Sequence, residues 1–136
     1  MRLSLKIGLL AALVAGVAYI SGTSAADEPK TKNVKGCMAF QNKVRGDLGK
    51  QVKAKDPKWD DIQKQTKEWV QISQELGTHK PPKGDDKSWK DQTEKYQTNV
   101  KAVDDAAGKK DPDGVTKGLQ TIGASCMGCH SKHRAK

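Results

Sequence analysis

Apolar side chains recur at spacings of three and four residues in four separate stretches of the 136-residue sequence. This spacing places them along one face of an α-helix, and no stretch shows the alternation that is typical of a half-buried strand. Links with proline, glycine and aspartate separate the stretches. We therefore predict an all-α fold, an antiparallel up-down-up-down bundle of four helices. The predicted inner faces are Val34, Cys37, Met38, Gln41, Val44, Leu48 and Val52; Trp59, Ile62, Thr66, Trp69, Val70, Ser73 and Leu76; Trp89, Thr93, Tyr96, Val100, Val103 and Ala107; and Val115, Leu119, Ile122, Cys126 and Cys129.

Local signals predict where these helices begin and end. The predicted starts are Asn33, Asp56-Pro57, Ser88 and Asp111-Pro112, because Asn, Asp and Ser cap helices and proline suits the first turn. Gly77 and Gly108 are the predicted ends. The link over residues 78–87 contains Pro81, Pro82 and Gly84, so it is predicted not to be helical throughout.

The first 26 residues have the composition of a secretory signal peptide. Basic residues precede an apolar run over residues 7–20, and the small residues at 24–26 suit signal cleavage. We predict that residues 1–26 are removed and that residues 27–136 form one exported domain. The alternative is an uncleaved membrane anchor, for which this apolar run is short.

The sequence is basic, with a formal charge of +9, and loss of Arg2 and Lys6 with the signal peptide leaves +7. A basic surface attracts acidic proteins or a negative membrane surface. Lysines and acids interleave along the chain, however, which favours a solvated helical surface and argues against nucleic-acid binding. We expect no stable membrane insertion after cleavage.

Residues 126–130 read Cys-Met-Gly-Cys-His, a Cys-x-x-Cys-His motif. This motif attaches c-type haem. The two thiols add to vinyl groups on one porphyrin edge, and the imidazole binds the iron. On a helix the three residues stand at i, i+3 and i+4, and so share one face. We therefore predict one covalent haem c and its iron, attached through Cys126 and Cys129, with His130 as the proximal ligand.

Other uses of these cysteines remain as alternatives. They are a thioredoxin-like redox dithiol, a disulfide between Cys126 and Cys129, and a zinc site formed with His133 and the distant Cys37. The composition of the core favours haem. The predicted mature chain has only five aromatic residues, which is thin for a domain of this size. A buried haem would supply the missing apolar volume.

The pattern Gly123-Ala124-Ser125-Cys126-x-x-Cys129-His130-x-x-x-Arg134, after three further predicted helices, resembles the class II cytochromes c, the cytochrome c′ family. The resemblance spans Asn33 to Arg134 in architecture but is specific in sequence only at the motif. It implies a periplasmic haem protein, often a homodimer formed through the first two helices. It also implies that Arg134 pairs with a haem propionate; the alternative is an exposed charge near the C-terminus. The family often has tyrosine where this chain has His133. That departure leaves the role of His133 open; solvent exposure is the favoured reading, and a contact with a propionate or a distal partner is the alternative.

The ligand on the other side of the iron decides the function within this family. Some relatives carry a methionine on the first helix and transfer electrons, whereas others leave the position open and bind nitric oxide or carbon monoxide. Met38 lies where such a methionine is expected, so we predict it as the distal ligand; the alternative is that it only fills the core. Cys37 is interpreted as a buried free thiol rather than a ligand, and His79 as a solvated loop residue.

These observations together predict a periplasmic carrier that passes single electrons between redox proteins, among which acidic partners are favoured by its charge. We expect no enzymatic activity, because no acid–base pair or nucleophile constellation is evident. A gas-binding haem protein with an open distal site is the main alternative. A haem-free redox dithiol protein is the third.

Overall fold

The computed structural model describes residues 30–135, and within them it contains four α-helices and no β-strand. The helices are α1 (Val34–Gln51), α2 (Trp59–Thr78), α3 (Asp86–Gly108) and α4 (Pro112–His133). The predicted all-α class with four helices is confirmed. None of the helices within residues 30–135 is both long and apolar enough to cross a membrane. The predicted signal peptide, residues 1–26, lies outside the described residues.

Two of the predicted helix starts are confirmed by capping hydrogen bonds. The side chain of Asn33 accepts a hydrogen bond from the N–H of Gly36 at 2.9 Å, and that of Asp111 accepts one from the N–H of Gly114 at 3.0 Å. Each bond satisfies a first-turn N–H that has no partner within its helix. Pro112 suits the first position of α4 because it has no N–H to leave unpaired.

The start of α3 differs from the prediction. The helix begins at Asp86 and is capped by Asp85, whose carboxylate accepts a hydrogen bond from the N–H of Ser88 at 2.8 Å. The prediction of Ser88 as the cap was therefore wrong by one helical turn. The negative charge of Asp85 adds a favourable interaction with the positive end of the helix dipole, which a serine cannot supply.

Both ends of α2 lie later in the chain than its sequence signals indicated. The helix begins at Trp59, after Asp56-Pro57, and ends at Thr78, so Gly77 lies inside the helix rather than at its C-cap. The hydroxyl of Thr78 donates a hydrogen bond to the carbonyl of Glu75 at 2.7 Å. This bond pairs one of the carbonyls that the helix end leaves without an N–H partner.

Successive helices pack side by side and run antiparallel. Thr66 of α2 contacts Asp104 of α3, and Trp69, one turn further along α2, contacts Tyr96, which lies earlier in α3. In the α1–α2 pair and in the α3–α4 pair, residues late in the first helix likewise contact residues early in the second, and residues early in the first contact residues late in the second. α1 and α4 complete the ring, and they pack least closely of the neighbouring pairs. This is the arrangement expected of an up-down-up-down bundle.

The predicted inner faces of all four helices meet in one apolar core. Its buried residues are Val44, Leu48, Val52, Ile62, Trp69, Val100, Val103, Ala107, Val115 and Ile122. A smaller cluster of Cys37, Ile72, Leu76 and Trp89 lies towards the start of α1. Gly118 lets α3 and α4 approach closely, because a Cβ there would lie 2.6 Å from a methyl carbon of Val103.

The centre of the core contains a buried polar contact. The indole N–H of Trp69, whose residue is 0% exposed, donates a hydrogen bond to the hydroxyl of Tyr96 at 2.6 Å. Burial raises the pKa of Tyr96, so its hydroxyl stays protonated throughout the physiological range. The bond joins α2 to α3 and satisfies a donor that has no access to water.

We predict that Tyr96→Phe lowers the free energy of unfolding by about 1–3 kcal/mol, because it leaves the Trp69 indole N–H buried without an acceptor. Urea unfolding of the mature protein measures the change. Thr98→Ala, at an exposed site on the same helix, is the control and is expected to change stability by less than about 0.5 kcal/mol. Equal effects of the two substitutions would contradict the role given to this hydrogen bond.

The segment before α1 is fastened to α2 by one carboxylate. Glu75 accepts hydrogen bonds from the N–H groups of Lys30 and Thr31 at 2.8 and 2.9 Å and from the Thr31 hydroxyl at 2.6 Å. Partial burial acts to raise the pKa of Glu75, but the hydrogen bonds from Thr31 and Lys30 outweigh it and the pKa is lowered. The ionised Glu75 carboxylate therefore holds Lys30 and Thr31, which precede α1, against α2.

The lowered pKa of Glu75 predicts a pH dependence of stability. Because its folded-state value lies below the ordinary 4.5, the stabilisation is complete above that pH and is lost as pH falls through the folded value. Glu75→Gln is expected to cost about 1 kcal/mol at pH 7 after allowance for solvent screening. Urea unfolding at pH 7 and at about pH 3 should show this difference shrinking at the lower pH. An unchanged difference would contradict the assignment.

Candidate functional site

The Cys-x-x-Cys-His motif lies near the C-terminal end of α4. Cys126, Cys129 and His130 are each half-buried, and all three line one cavity of about 340 Å³, called here the first cavity. Met38 of α1 lines the same cavity. Two thiols, an imidazole and a thioether that the sequence singled out are therefore brought together from the first and last helices.

A second cavity, of about 620 Å³, lies beside the first. Met38, Cys129 and His130 line both cavities, so these three side chains stand at the boundary between the two spaces. Trp89 and Arg134 also line the second cavity. The predicted ligands thus face open space rather than the closed part of the core.

The surroundings of the motif fit a haem. A c-type haem needs two thiols for its vinyl groups, an imidazole for its iron and apolar walls for its porphyrin faces. The walls of the two cavities include Leu76, Trp89 and Tyr96. Both volumes fall within the range of about 300–1,000 Å³ that is usual for ligand pockets. The donor set and the walls match what this group requires.

The two motif thiols have different neighbours. Arg45 of α1 donates a hydrogen bond to the sulfur of Cys126 over 3.7 Å, and the Cys126 thiol donates one to the carbonyl of Ile122 at 3.2 Å. Burial raises the pKa of Cys129, and the neighbouring Cys126 raises it further. Both thiols are free in the structure. The Arg45 guanidinium therefore joins α1 to α4 at the motif.

The sulfur of Met38 already has a polar partner. The side-chain amide of Gln41, one helical turn further along α1, donates a hydrogen bond to it at 2.7 Å. Gln41 is buried and lines the first cavity beside Met38. A metal ligand at Met38 would therefore have to replace this hydrogen bond.

Cys37 lines neither cavity. Its residue is 2% exposed, and its sulfur lies 3.0 Å from the hydroxyl of Thr31. Burial raises the pKa of Cys37, and Glu75 also acts to raise it, while the Thr31 hydroxyl acts against both. The geometry agrees with the interpretation of Cys37 as a buried free thiol.

His79 is not the solvated loop residue that the sequence suggested. It follows the last residue of α2, is half-buried, and its Nε2 atom is buried with no hydrogen-bond partner among the described residues. Its carbonyl accepts a hydrogen bond from the Trp89 indole N–H at 2.7 Å. His79 lines neither cavity, and the structure does not bring it to the motif.

His133 is the site residue that sequence reasoning missed. The favoured reading was solvent exposure, but the residue is only 2% exposed. Its Nδ1 lies 2.8 Å from the carbonyl of Lys83, its Nε2 lies 3.1 Å from the Ser88 hydroxyl, and its ring packs edge-on against Trp89. A usable signal was present, because position 133 continues the α4 stripe four residues after Cys129.

Gly84 makes this arrangement sterically feasible. It has a φ of +86°, and a Cβ at this position would lie 2.8 Å from Nδ1 of His133 and 2.9 Å from the carbonyl oxygen of Lys132. Glycine adopts this backbone conformation at little cost and leaves room for the imidazole. The link between α2 and α3 therefore passes directly over the end of α4.

Arg134 follows α4 and is exposed, with its backbone N–H bonded to the carbonyl of His130 at 3.1 Å. It lines the second cavity together with His130 and Met38. Arg134 therefore lies at the cavity beside the motif, where the predicted propionate contact requires it. The contact itself stays a prediction.

Within residues 30–135, no three side chains of His, Cys, Asp or Glu converge as metal ligands. The zinc alternative also required His133, and both of its ring nitrogens are engaged by Ser88 and Lys83. Haem iron needs no such cluster, because the porphyrin supplies its equatorial ligands.

Comparison of the chain with protein-family models, with curated proteins and with solved structures gives no match.

We predict that His133→Ala lowers the free energy of unfolding by about 2–3 kcal/mol, because it removes two hydrogen bonds and the packing against Trp89. Urea unfolding measures the change. Lys132→Ala, at the other adjacent position and exposed, is the control and is expected to change stability by less than about 0.5 kcal/mol. If both substitutions have the same small effect, His133 does not anchor the end of α4.

Proposed function

We propose that this protein is a periplasmic monohaem c-type cytochrome that transfers single electrons, and that its four-helix bundle encloses the haem. The single observation that carries the proposal is the convergence of Cys126, Cys129 and His130 with Met38 on one cavity. A motif on one helix is a sequence pattern only. Met38, a thioether on another helix, lines the same cavity, and this supports the proposal beyond the sequence pattern.

The roles follow from the chemistry of each side chain. Cys126 and Cys129 hold the porphyrin edge through two thioether bonds, and His130 provides the proximal imidazole. Arg134 is proposed to pair with a propionate, since a guanidinium recognises a carboxylate with two parallel hydrogen bonds. When bound, the haem supplies an iron that changes its charge by one electron.

Met38 is proposed as the distal ligand. A thioether is a soft donor that keeps haem iron low-spin and raises its reduction potential, as in the Met/His cytochromes. For this, the Met38 sulfur gives up its hydrogen bond from Gln41, whose amide is then free to turn towards the first cavity. The half-buried position of Met38 leaves room for the rotamer change.

The rest of the fold supports a carrier rather than a catalyst. Electron transfer is fast when the ligands move little between the two oxidation states. His133 fixes the end of α4 one turn after His130, and the Trp69–Tyr96 bond fixes α2 against α3. Both restraints act close to the motif and limit the movement of His130, the proposed proximal ligand.

A gas-binding protein with an open distal side is the second candidate. The observation that favours it is the 2.7 Å hydrogen bond from Gln41, which occupies the Met38 sulfur. If this bond persists in the holoprotein, the iron has no sixth protein ligand. The two candidates differ in spin state, which makes them separable by one spectrum.

The test compares optical spectra of the ferric and ferrous holoprotein with those of two methionine variants. The chain is made with haem-attachment machinery, as wild type, as Met38→Ala and as Met127→Ala. Met127 is the matched control, because it is an exposed methionine within the motif. We expect low-spin spectra for wild type and the control, and a high-spin spectrum for Met38→Ala.

A high-spin wild type that does not change in Met38→Ala would contradict methionine ligation and favour gas binding. A colourless chain in all three preparations would contradict haem attachment itself, and would leave the haem-free dithiol reading.

A further inference from the structure

Met38 and Gln41 form a side-chain pair on one face of α1, beside the motif. They stand three residues apart, a spacing that brings two side chains together on a helix. The Gln41 amide donates its hydrogen bond to the Met38 sulfur at 2.7 Å, and both side chains line the first cavity with Cys126 and His130. The proposed distal ligand is therefore bonded within its own helix to a residue that is not itself a ligand.

The burial of Gln41 gives this hydrogen bond its importance. Gln41 is 9% exposed, so its side chain has little contact with water. A buried amide N–H costs free energy when it has no acceptor. Among the described residues, the Met38 sulfur is the acceptor that the Gln41 amide uses. The pair therefore stabilises Met38 in the position where its sulfur points to Gln41.

Met38 has room to leave this position and to return to it. Its side chain is half-buried and lines both the first and the second cavity. Methionine is unbranched and has three rotatable side-chain bonds, so its sulfur can move without a change in the backbone. Two states of Met38 are therefore available on the same helix, one with the sulfur on a metal and one with the sulfur on Gln41.

The walls of the first cavity favour a particular class of replacement ligand. Leu76 and Tyr96 provide apolar and aromatic surface, and Gln41 provides an uncharged amide. Within the described chain, no Asp or Glu lines this cavity, and its one lysine, Lys95, is exposed. A small neutral ligand enters such a space without losing a counter-charge. The diatomic gases that bind haem iron belong to this class.

We propose that Met38 is an exchangeable ligand, and that Gln41 is the positioning residue that receives its sulfur when a neutral diatomic gas replaces it. The inference rests on the proposed function, because it concerns regulation of the same site. With carbon monoxide as the gas, the Met38 sulfur withdraws its lone pair from the iron and accepts the Gln41 N–H. The lone pair on the carbon of carbon monoxide forms the new bond, and no electron or proton is transferred. The gas therefore converts the electron carrier into a gas-bound form.

The Gln41–Met38 hydrogen bond then sets the affinity for the gas. Carbon monoxide binds only to the fraction of molecules in which Met38 has left the iron, and the apparent affinity is reduced by that fraction. The Gln41 N–H stabilises the released form of Met38 and so enlarges the fraction. A hydrogen bond of ordinary net strength corresponds to a factor of about 2–10.

Titration of the ferrous holoprotein with carbon monoxide tests the exchange. Gln41→Leu removes the donor and leaves an apolar side chain of similar size. The control is Gln97→Leu, at a half-buried glutamine of α3 that lines neither cavity. Gln41→Leu is expected to weaken carbon monoxide binding about 2–10-fold, and the control less than about twofold. Binding by Gln41→Leu that is unchanged or tighter overturns the proposal.

The same substitution in a Met38→Ala background shows how Gln41 acts. Without the thioether there is no sulfur for Gln41 to receive, so Gln41→Leu is expected to change the affinity less than about twofold in this background. A loss as large as the one in the wild-type background means that Gln41 acts on the gas directly, and it overturns the role given to the Met38–Gln41 pair.

A measurement on chains that keep Gln41 covers the case in which Gln41→Leu does not fold. The ferrous carbon monoxide complex is diamagnetic, so its methionine methyl groups can be followed by NMR. The Met38 methyl signal is identified by its loss in Met38→Ala, and the exposed Met127 is the reference. A nuclear Overhauser effect between the Met38 methyl group and the Gln41 side-chain amide is expected. Its absence overturns the proposal.

Spectra recorded before the titration separate failure of this inference from failure of the proposed function. A chain without haem overturns both. A high-spin wild type overturns methionine ligation and, with it, the exchange. A low-spin wild type that stays unchanged in buffer saturated with carbon monoxide overturns the exchange alone, and leaves Met38 as a permanent ligand.

Discussion

The end of α4 has to be held in place without apolar anchors of its own. Its buried apolar residues, Val115 and Ile122, lie in the first half of the helix, and no side chain is fully buried from residue 123 to residue 132. His133 supplies the missing attachment through Lys83, Ser88 and Trp89. The motif lies between Ile122 and His133, so this buried imidazole, together with the contact of Arg45 with Cys126, holds the geometry of the candidate site.

This arrangement links the thin core to the proposed cofactor. The part of the bundle that lacks apolar side chains on α4 is also the part where two cavities meet at Met38, Cys129 and His130. A well-packed domain leaves few such spaces. A haem bound there would complete the core while being held by it, and α1 would contribute through Met38 and Arg45 rather than through close packing on α4.

The four helices were predictable because apolar residues at helical spacing form one face of each helix, and that face is buried in the bundle. Ile62 and Val100 lie on such faces, and both are buried in the core. The Cys-x-x-Cys-His motif was predictable because its three residues lie within five positions of the sequence and need no other part of the fold to bring them together. The α4 stripe indicated that His133 could be buried, but its partners were not predictable, because only the folded chain brings the carbonyl of Lys83 and the hydroxyl of Ser88 near it. The cap of α3 was misplaced because Asp85 and Ser88 are both possible acceptors, and the folded chain uses Asp85. The start of α2 was misplaced because its N-cap, Lys58, makes no side-chain capping hydrogen bond.

The central claim is that Cys126 and Cys129 carry a covalent haem, and mass spectrometry of the tryptic peptide that contains the motif tests it most directly. Cleavage after Lys117 and Lys132 releases the peptide of residues 118–132, which contains both cysteines and His130. From holoprotein made with haem-attachment machinery, this peptide should carry the added mass of one haem after denaturation. A peptide recovered with two free thiols, or with a disulfide between them, would contradict the account.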